Sequence, residues 1–211
     1  MDNGTITEEG KYLNRPRPTE PCPHVVDILP AEWSRAVKAV SRLVPTKKQG
    51  NPYLSYVEVE YHDDVTFLAS TNGHSLIVLE LPPIEGLSGY AHLPIGNVKA
   101  WLKDKDSPEA LLTHDQGATY PDLRQVFPTF RQGHGSGGDL GLSVELLHQV
   151  LTAIRDVNPK NSRFQPSAWQ MTASAGDRLE VVYFKATGSL GLKDGASPFP
   201  IHALLMPLRL E

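Results

Sequence analysis

Residues 56–81 read YVEVEYHDDVTFLASTNGHSLIVLEL, and the alternation in this stretch decides the fold. Tyr56–Tyr61 alternates Val57 and Val59 with Glu58 and Glu60, the period of a strand. A His62-Asp63-Asp64 turn leads into Val65–Ser70, and Asn72-Gly73 turns the chain again into Ser75–Leu81. Three strands joined by such tight turns are antiparallel neighbours.

Upstream, residues 31–44 form an amphipathic helix. Trp33, Val37, Val40 and Val44 recur at helical spacing, and Arg35, Lys38 and Arg42 share another face. Pro30 suits the helix start and Pro45 its end. With an extended Val25–Leu29 in front, the unit reads β-α-β-β-β. Residues 1–24 are polar and rich in proline (Pro16, Pro18, Pro21, Pro23), which predicts a disordered or loosely attached tail.

The same order returns downstream. Leu140–Leu142 is a short strand, and Ser143 caps a helix with Leu147, Val150, Leu151 and Ile154 on one stripe. His148, Thr152 and Arg155 lie opposite, and Asn158-Pro159 ends the helix. Strands are expected at Ala168–Ala173, Leu179–Phe184 and Ile201–Leu208, with residues 185–198 as an exposed Gly-rich loop. A shorter copy lies between: extended His92–Pro94, a helix over Asn97–Lys103, and extended Ala110–Thr113. In that helix Val98, Trp101 and Leu102 face inward, Lys99 and Lys103 outward. The chain is therefore a degenerate repeat of about two and a half units. The fold class is α+β, with helices on one face of antiparallel sheets.

Composition narrows the function. The 211 residues are 40% hydrophobic and 21% charged, ordinary for a chain with a core. No run of eighteen apolar residues predicts a membrane span. Cys22 is the single cysteine, which excludes an intrachain disulfide and a cysteine zinc site and fits a reducing, cytoplasmic setting. Eight histidines occur without an H-E-x-x-H pattern, and Gly133–Gly138 lacks the Lys-Ser/Thr of a phosphate loop. No catalytic residue, metal ligand or cofactor site is assigned. A non-enzymatic role is expected, with an enzyme of rearranged site as the contrasting class. Trp33, Trp101 and Trp169 suit core positions better than a base-stacking platform.

Three segments resemble one family. Ala69-Ser70-Thr71-Asn72-Gly73-His74-Ser75-Leu76 resembles the A-T-D-G-H-R-L strand-turn-strand of the bacterial DNA polymerase III beta subunit, the DNA sliding clamp. Tyr120-Pro121-Asp122-Leu123-Arg124-Gln125-Val126-Phe127-Pro128 is similar to its F-P-D-Y-R-R-V-L-P connector. Leu204-Leu205-Met206-Pro207-Leu208-Arg209-Leu210 resembles its V-V-M-P-M-R-L terminus. The likeness runs over residues 25–211 and includes no first clamp domain. Asn72 stands for the family's Asp, Ser75 for its Arg, and Glu211 follows the usual terminal Leu.

The resemblance implies a DNA-clamp fold in two units, residues 25–118 and 139–211, joined by a connector at 119–138. It implies a pocket for a short apolar peptide carried by polymerases, the clamp loader and repair proteins. Thr71, Gly73, His74 and Leu76 would come from the turn, Pro121, Gln125 and Val126 from the connector. Leu54 would join them, with Leu204, Leu205, Met206, Pro207, Leu208, Arg209 and Leu210 from the tail. Charge patterning adds a second expectation. Residues 31–48 hold Arg35, Lys38, Arg42, Lys47 and Lys48 against Glu32 alone, whereas residues 51–91 hold six acids and no Lys or Arg. Basic helices on a chain of net charge −4 suggest a DNA-facing set of Arg35, Lys38, Arg42, Lys99, Lys103 and Arg155. Their contacts would go to phosphates, independent of base sequence. The reading that follows is a clamp or clamp-like processivity factor, with self-association into a ring. Its alternative is a non-encircling adaptor that binds clamp-binding peptides or competes with a full-length clamp.

Overall fold

The computed structural model describes Tyr12 and residues 15–22, 29–45, 54–103, 120–126, 143–157, 170–173, 182–189 and 198–205. Among the described residues, seven strands form one antiparallel sheet in the order β4-β1-β2-β3-β7-β6-β5. They are β1 (Tyr56–His62), β2 (Val65–Thr71), β3 (Ser75–Leu81), β4 (Gly89–Pro94), β5 (Gln170–Ala173), β6 (Val182–Ser189) and β7 (Pro198–Leu205). The helices are α1 (Ser34–Ser41), α2 (Ile95–Lys103) and α3 (Val144–Val157).

The repeat is visible in the topology. A helix followed by three strands occurs twice, as α1-β1-β2-β3 and α3-β5-β6-β7. The last strand of each unit, β3 and β7, pair antiparallel, with Leu76 opposite Leu204 and Ser75 opposite Leu205. That pairing fuses the two units into one sheet.

Period-2 alternation gives the sheet two chemically distinct faces. One carries Val57, Val59, Leu68, Ile77, Leu79, Ala91, Leu93, Ile201 and Ala203, and all three helices pack on it. Trp33 and Trp101 are buried in this layer, as expected of core residues, whereas Trp169 lies outside the described residues. Ser143 caps α3, its hydroxyl accepting the Leu146 N–H at 3.4 Å. The far end of α1 is held by Ser70, whose hydroxyl donates to the Val40 carbonyl at 2.5 Å. This satisfies one of the carbonyls a helix end leaves open.

Four expectations need correction or restriction. Residues 185–198 are not one loop: β6 runs to Ser189 and β7 starts at Pro198, with Ser189 opposite Pro198. Thr152 is buried rather than on the outer side of α3, because that helix is wedged between α1 and the sheet. Tyr12 and Arg17, assigned to a loose tail, pack on the second sheet face, and Glu20–Cys22 follow the edge of β4, where Cys22 joins the helix-side core. The strand expected at Val25–Leu29 falls, apart from Leu29, outside the described residues, as do Ala110–Thr113 and Leu140–Leu142.

Candidate docking site and the clasped sheet face

Thr71, Leu76 and Leu204 form one row across β2, β3 and β7 on the second face. Ala69, Phe67, Val78, Tyr120 and Leu123 join Leu76 and Leu204 in a single apolar cluster. Three segments distant in sequence therefore meet here: the turn after β2, residues 120–126, and the end of β7. The turn is built by side chains. Asn72 Oδ1 accepts from His74 N at 2.9 Å and Ser75 N at 2.7 Å, and Gly73 N donates to Thr71 Oγ1 at 3.0 Å. Gly73 has φ +88°, a backbone state that favours glycine, and a side chain there would come within 3.6 Å of Leu54. Leu54 is thus a neighbour of the turn. Asn72 and Ser75, the departures from the resemblance within this turn, are what close it: the Ser75 hydroxyl also donates to Asn72 Oδ1 at 3.1 Å.

Leu76 is 2% exposed and Leu204 3%, so both are core. Leu205 lies on the opposite, helix-bearing face and cannot line the same pocket as Leu204. Strand alternation requires this of adjacent residues. Solvent reaches Gly73, His74, Pro121 and Gln125, and Leu54 is half-buried. The Val126 side chain, together with Met206, Pro207, Leu208, Arg209 and Leu210, lies outside the described residues.

The six basic residues expected to face DNA all belong to the helical layer. Asp156 gathers three of them: Arg42 Nε donates to it at 2.8 Å, Lys38 Nζ lies at 3.7 Å and Arg155 at 3.6 Å. Lys99 and Lys103 are exposed on α2, and Arg35 is half-buried.

Sequence reading missed the chemistry of the second face. Glu58 and Glu60 are each 1% exposed, and Glu80 is 5% exposed. Glu58 lies opposite His92, and Glu60 and Glu80 flank Phe67. Arg17 Nη2 reaches Glu58 at 2.5 Å and contacts His92 Nε2 at 3.1 Å. Arg124 makes a bidentate pair with Glu60 at 2.8 and 2.5 Å. Such fork-to-carboxylate geometry is what Arg supplies and Lys does not. Desolvation raises the Glu58 carboxyl above its ordinary 4.5, opposed by His92 and Arg17 and reinforced by Glu60. Burial works against the Arg124 charge, but its hydrogen bonds to Glu60 and the nearby Tyr12 and Asp122 hold its pKa above the usual value. Burial also pushes the Tyr12 and Tyr120 phenols upward. The only sequence signal for any of this was Arg124 inside the connector motif.

No protein-family model matches the chain, and no curated protein matches it. Among solved structures it is similar to the DNA polymerase sliding clamp of Bacillus subtilis, with TM-score 0.44 and 12% identity over 93% of this chain and 67% of that one. It is similar to DNA polymerase III subunit beta of Borrelia burgdorferi in complex with a natural product, with TM-score 0.43 and 12% identity over 85% and 62%. The H. pylori beta clamp in complex with diflunisal gives TM-score 0.43 and 11% identity over 84% and 64%. The chain therefore spans about two thirds of the length of the bacterial sliding clamps to which its structure is similar.

Proposed function

We propose that the chain is a clamp-like, non-catalytic tether that docks short apolar peptides of replication or repair proteins beside the Thr71–Leu76 turn. The observation that carries this reading is the row Thr71, Leu76 and Leu204 with Tyr120 and Leu123 packed on it. These are the segments that resemble the clamp's turn, connector and tail, and they meet although more than 40 residues separate each from the next. A peptide would lie along the accessible rim at Gly73, His74, Pro121 and Gln125, with apolar wall from Leu54 and the tail beginning at Met206. Its main chain would bond to backbone and its side chains would enter small apolar sites. Burial of a few apolar side chains supports an affinity of about micromolar. The test is titration of a clamp-binding peptide against the wild type and Met206→Ala, with folding followed by circular dichroism. Met206→Ala should bind roughly tenfold more weakly. Equal affinity in two folded proteins sinks the reading.

A second reading, the non-encircling adaptor, is favoured by Asp156. It pairs with Arg42 and sits near Lys38 and Arg155, which lowers the positive field of the helical layer. Trapping on closed circular DNA, with polymerase run length as the second readout, separates the two. A protein that stays on the circle and lengthens synthesis tethers on DNA. One that does neither while binding peptide is an adaptor.

A further inference from the structure

We propose that Tyr12 and residues 15–22 form a positioning strap that holds the 120–126 connector on the sheet and thereby sets peptide affinity at the docking site; the affinity clause rests on the docking reading above. Strap and connector grip each other reciprocally. From the strap, Arg17 Nη1 donates to the Tyr120 carbonyl at 2.8 Å while Nη2 sits on Glu58 at 2.5 Å. From the connector, Arg124 Nε donates to the Tyr12 carbonyl at 3.1 Å and the Arg15 carbonyl at 2.6 Å while its two Nη atoms hold Glu60. Each segment thus closes over the other's backbone with a guanidinium that also meets a buried carboxylate of β1: Arg124 through both Nη atoms, Arg17 through Nη2 alone. Glu58 and Glu60 are two residues apart, so both carboxylates rise on the same face.

The strap is fastened at other points as well. Tyr12 N donates to Glu80 Oε1 at 3.0 Å, and Arg15 pairs with Asp64 at 2.7 Å. Cys22 N donates to the Tyr90 carbonyl at 2.8 Å, and Tyr90 N donates to the Glu20 carbonyl at 3.1 Å. Gly89 has φ +98°, and a Cβ there would lie 2.7 Å from Glu20 O and 2.9 Å from Cys22 N. The strap thus crosses where a side chain would block it. The connector it holds carries Pro121 and Gln125, the accessible residues of the docking rim. Fixing a binding surface before the ligand arrives removes an ordering cost from binding.

The experiment uses the full chain. In Arg17→Met with Glu58→Gln, the clasp on Tyr120 is lost without leaving a charge buried alone. Gly89→Ala is an independent variant: every arginine and carboxylate stays, and the new methyl pushes on the strap backbone. Amide hydrogen exchange and peptide titration are read on both. Exchange over residues 120–126 should rise about tenfold or more while β2 and β3 stay protected. Peptide affinity should fall about fivefold. Arg17→Lys, which keeps the charge but not the fork, should lie between. Unchanged exchange in 120–126 in the folded variants overturns the strap. Faster exchange with unchanged affinity overturns its role in docking. A wild type that binds no peptide fails the docking reading instead, and exchange alone then decides the strap.

Discussion

The two faces of the sheet are both dry, and they are kept dry by different physics. On the helix side, aliphatic residues such as Ile77, Leu79 and Ile201 meet apolar faces of α1, α2 and α3. That contact is non-directional, and its strength scales with area. On the strap side, a small apolar centre around Phe67, Val78 and Leu204 is bordered by Glu58, Glu60, Glu80, His92 and His202, all buried. Closure there needs particular donors in particular places. A buried ion pair adds little net stability over a hydrophobic substitute, but removing one partner is costly. One face therefore tolerates repacking, whereas the other tolerates few changes and records which segment belongs on it.

That contrast can be broken from either side. Arg124→Leu strands Glu60 in the interior and should cost about 3–5 kcal/mol in urea unfolding, with Arg124→Leu/Glu60→Gln recovering much of the loss. A double variant as unstable as the single would mean that the pair is not what closes this face. Leu79→Ala opens a cavity under the helices and should cost about 2–5 kcal/mol, whereas the volume-conserving Leu79→Met should cost under about 1.5 kcal/mol.

The acid dependence of Glu58 sharpens the comparison further. Its pKa is raised in the folded state, so its contribution to stability is complete below its unfolded value and is lost as pH rises through the folded one. From pH 4.5 upward, wild type should therefore lose stability relative to Glu58→Gln, and a parallel pair of curves would count against the assignment. The smallest effect belongs to the surface. Asp156→Asn, which loosens Arg42 and Lys38 on the helical layer, should change stability by no more than about 1 kcal/mol.

Legibility in the sequence divides along the same line. The strands β1, β2 and β3, the inward Val98 and Trp101 of α2, and the Ser143 cap follow from period and capping alone. Local chemistry decides those elements. The burial of Glu58 and Glu60 does not follow, because their partners Arg17 and Arg124 lie 41 and 64 residues away. Pro198, Pro200 and Gly188 read as breakers, yet they sit in a hairpin. The β3–β7 pairing stops at Leu79 opposite Ile201, so both prolines lie beyond that pairing, where β3 requires no N–H of them. At the candidate site, Thr71, Leu76 and Leu204 were reached through motif likeness, and the fold placed them in one row. Leu205 was misassigned although alternation alone would have sent it to the other face.

The Pro21–Tyr90 bridge has a consequence for how copies of this chain could join through their strands. Tyr90 lies on β4, one end of the sheet, and both of its backbone groups are bonded to the strap at Glu20 and Cys22. In polymer terms a sheet with two open ends is a bifunctional monomer: it can grow without limit or close head to tail into a ring. Occupying one end makes it monofunctional. A copy pairing through β5 alone would then meet one partner about a twofold axis, and growth would stop there. Head-to-tail closure through strands must first lift the strap from Tyr90.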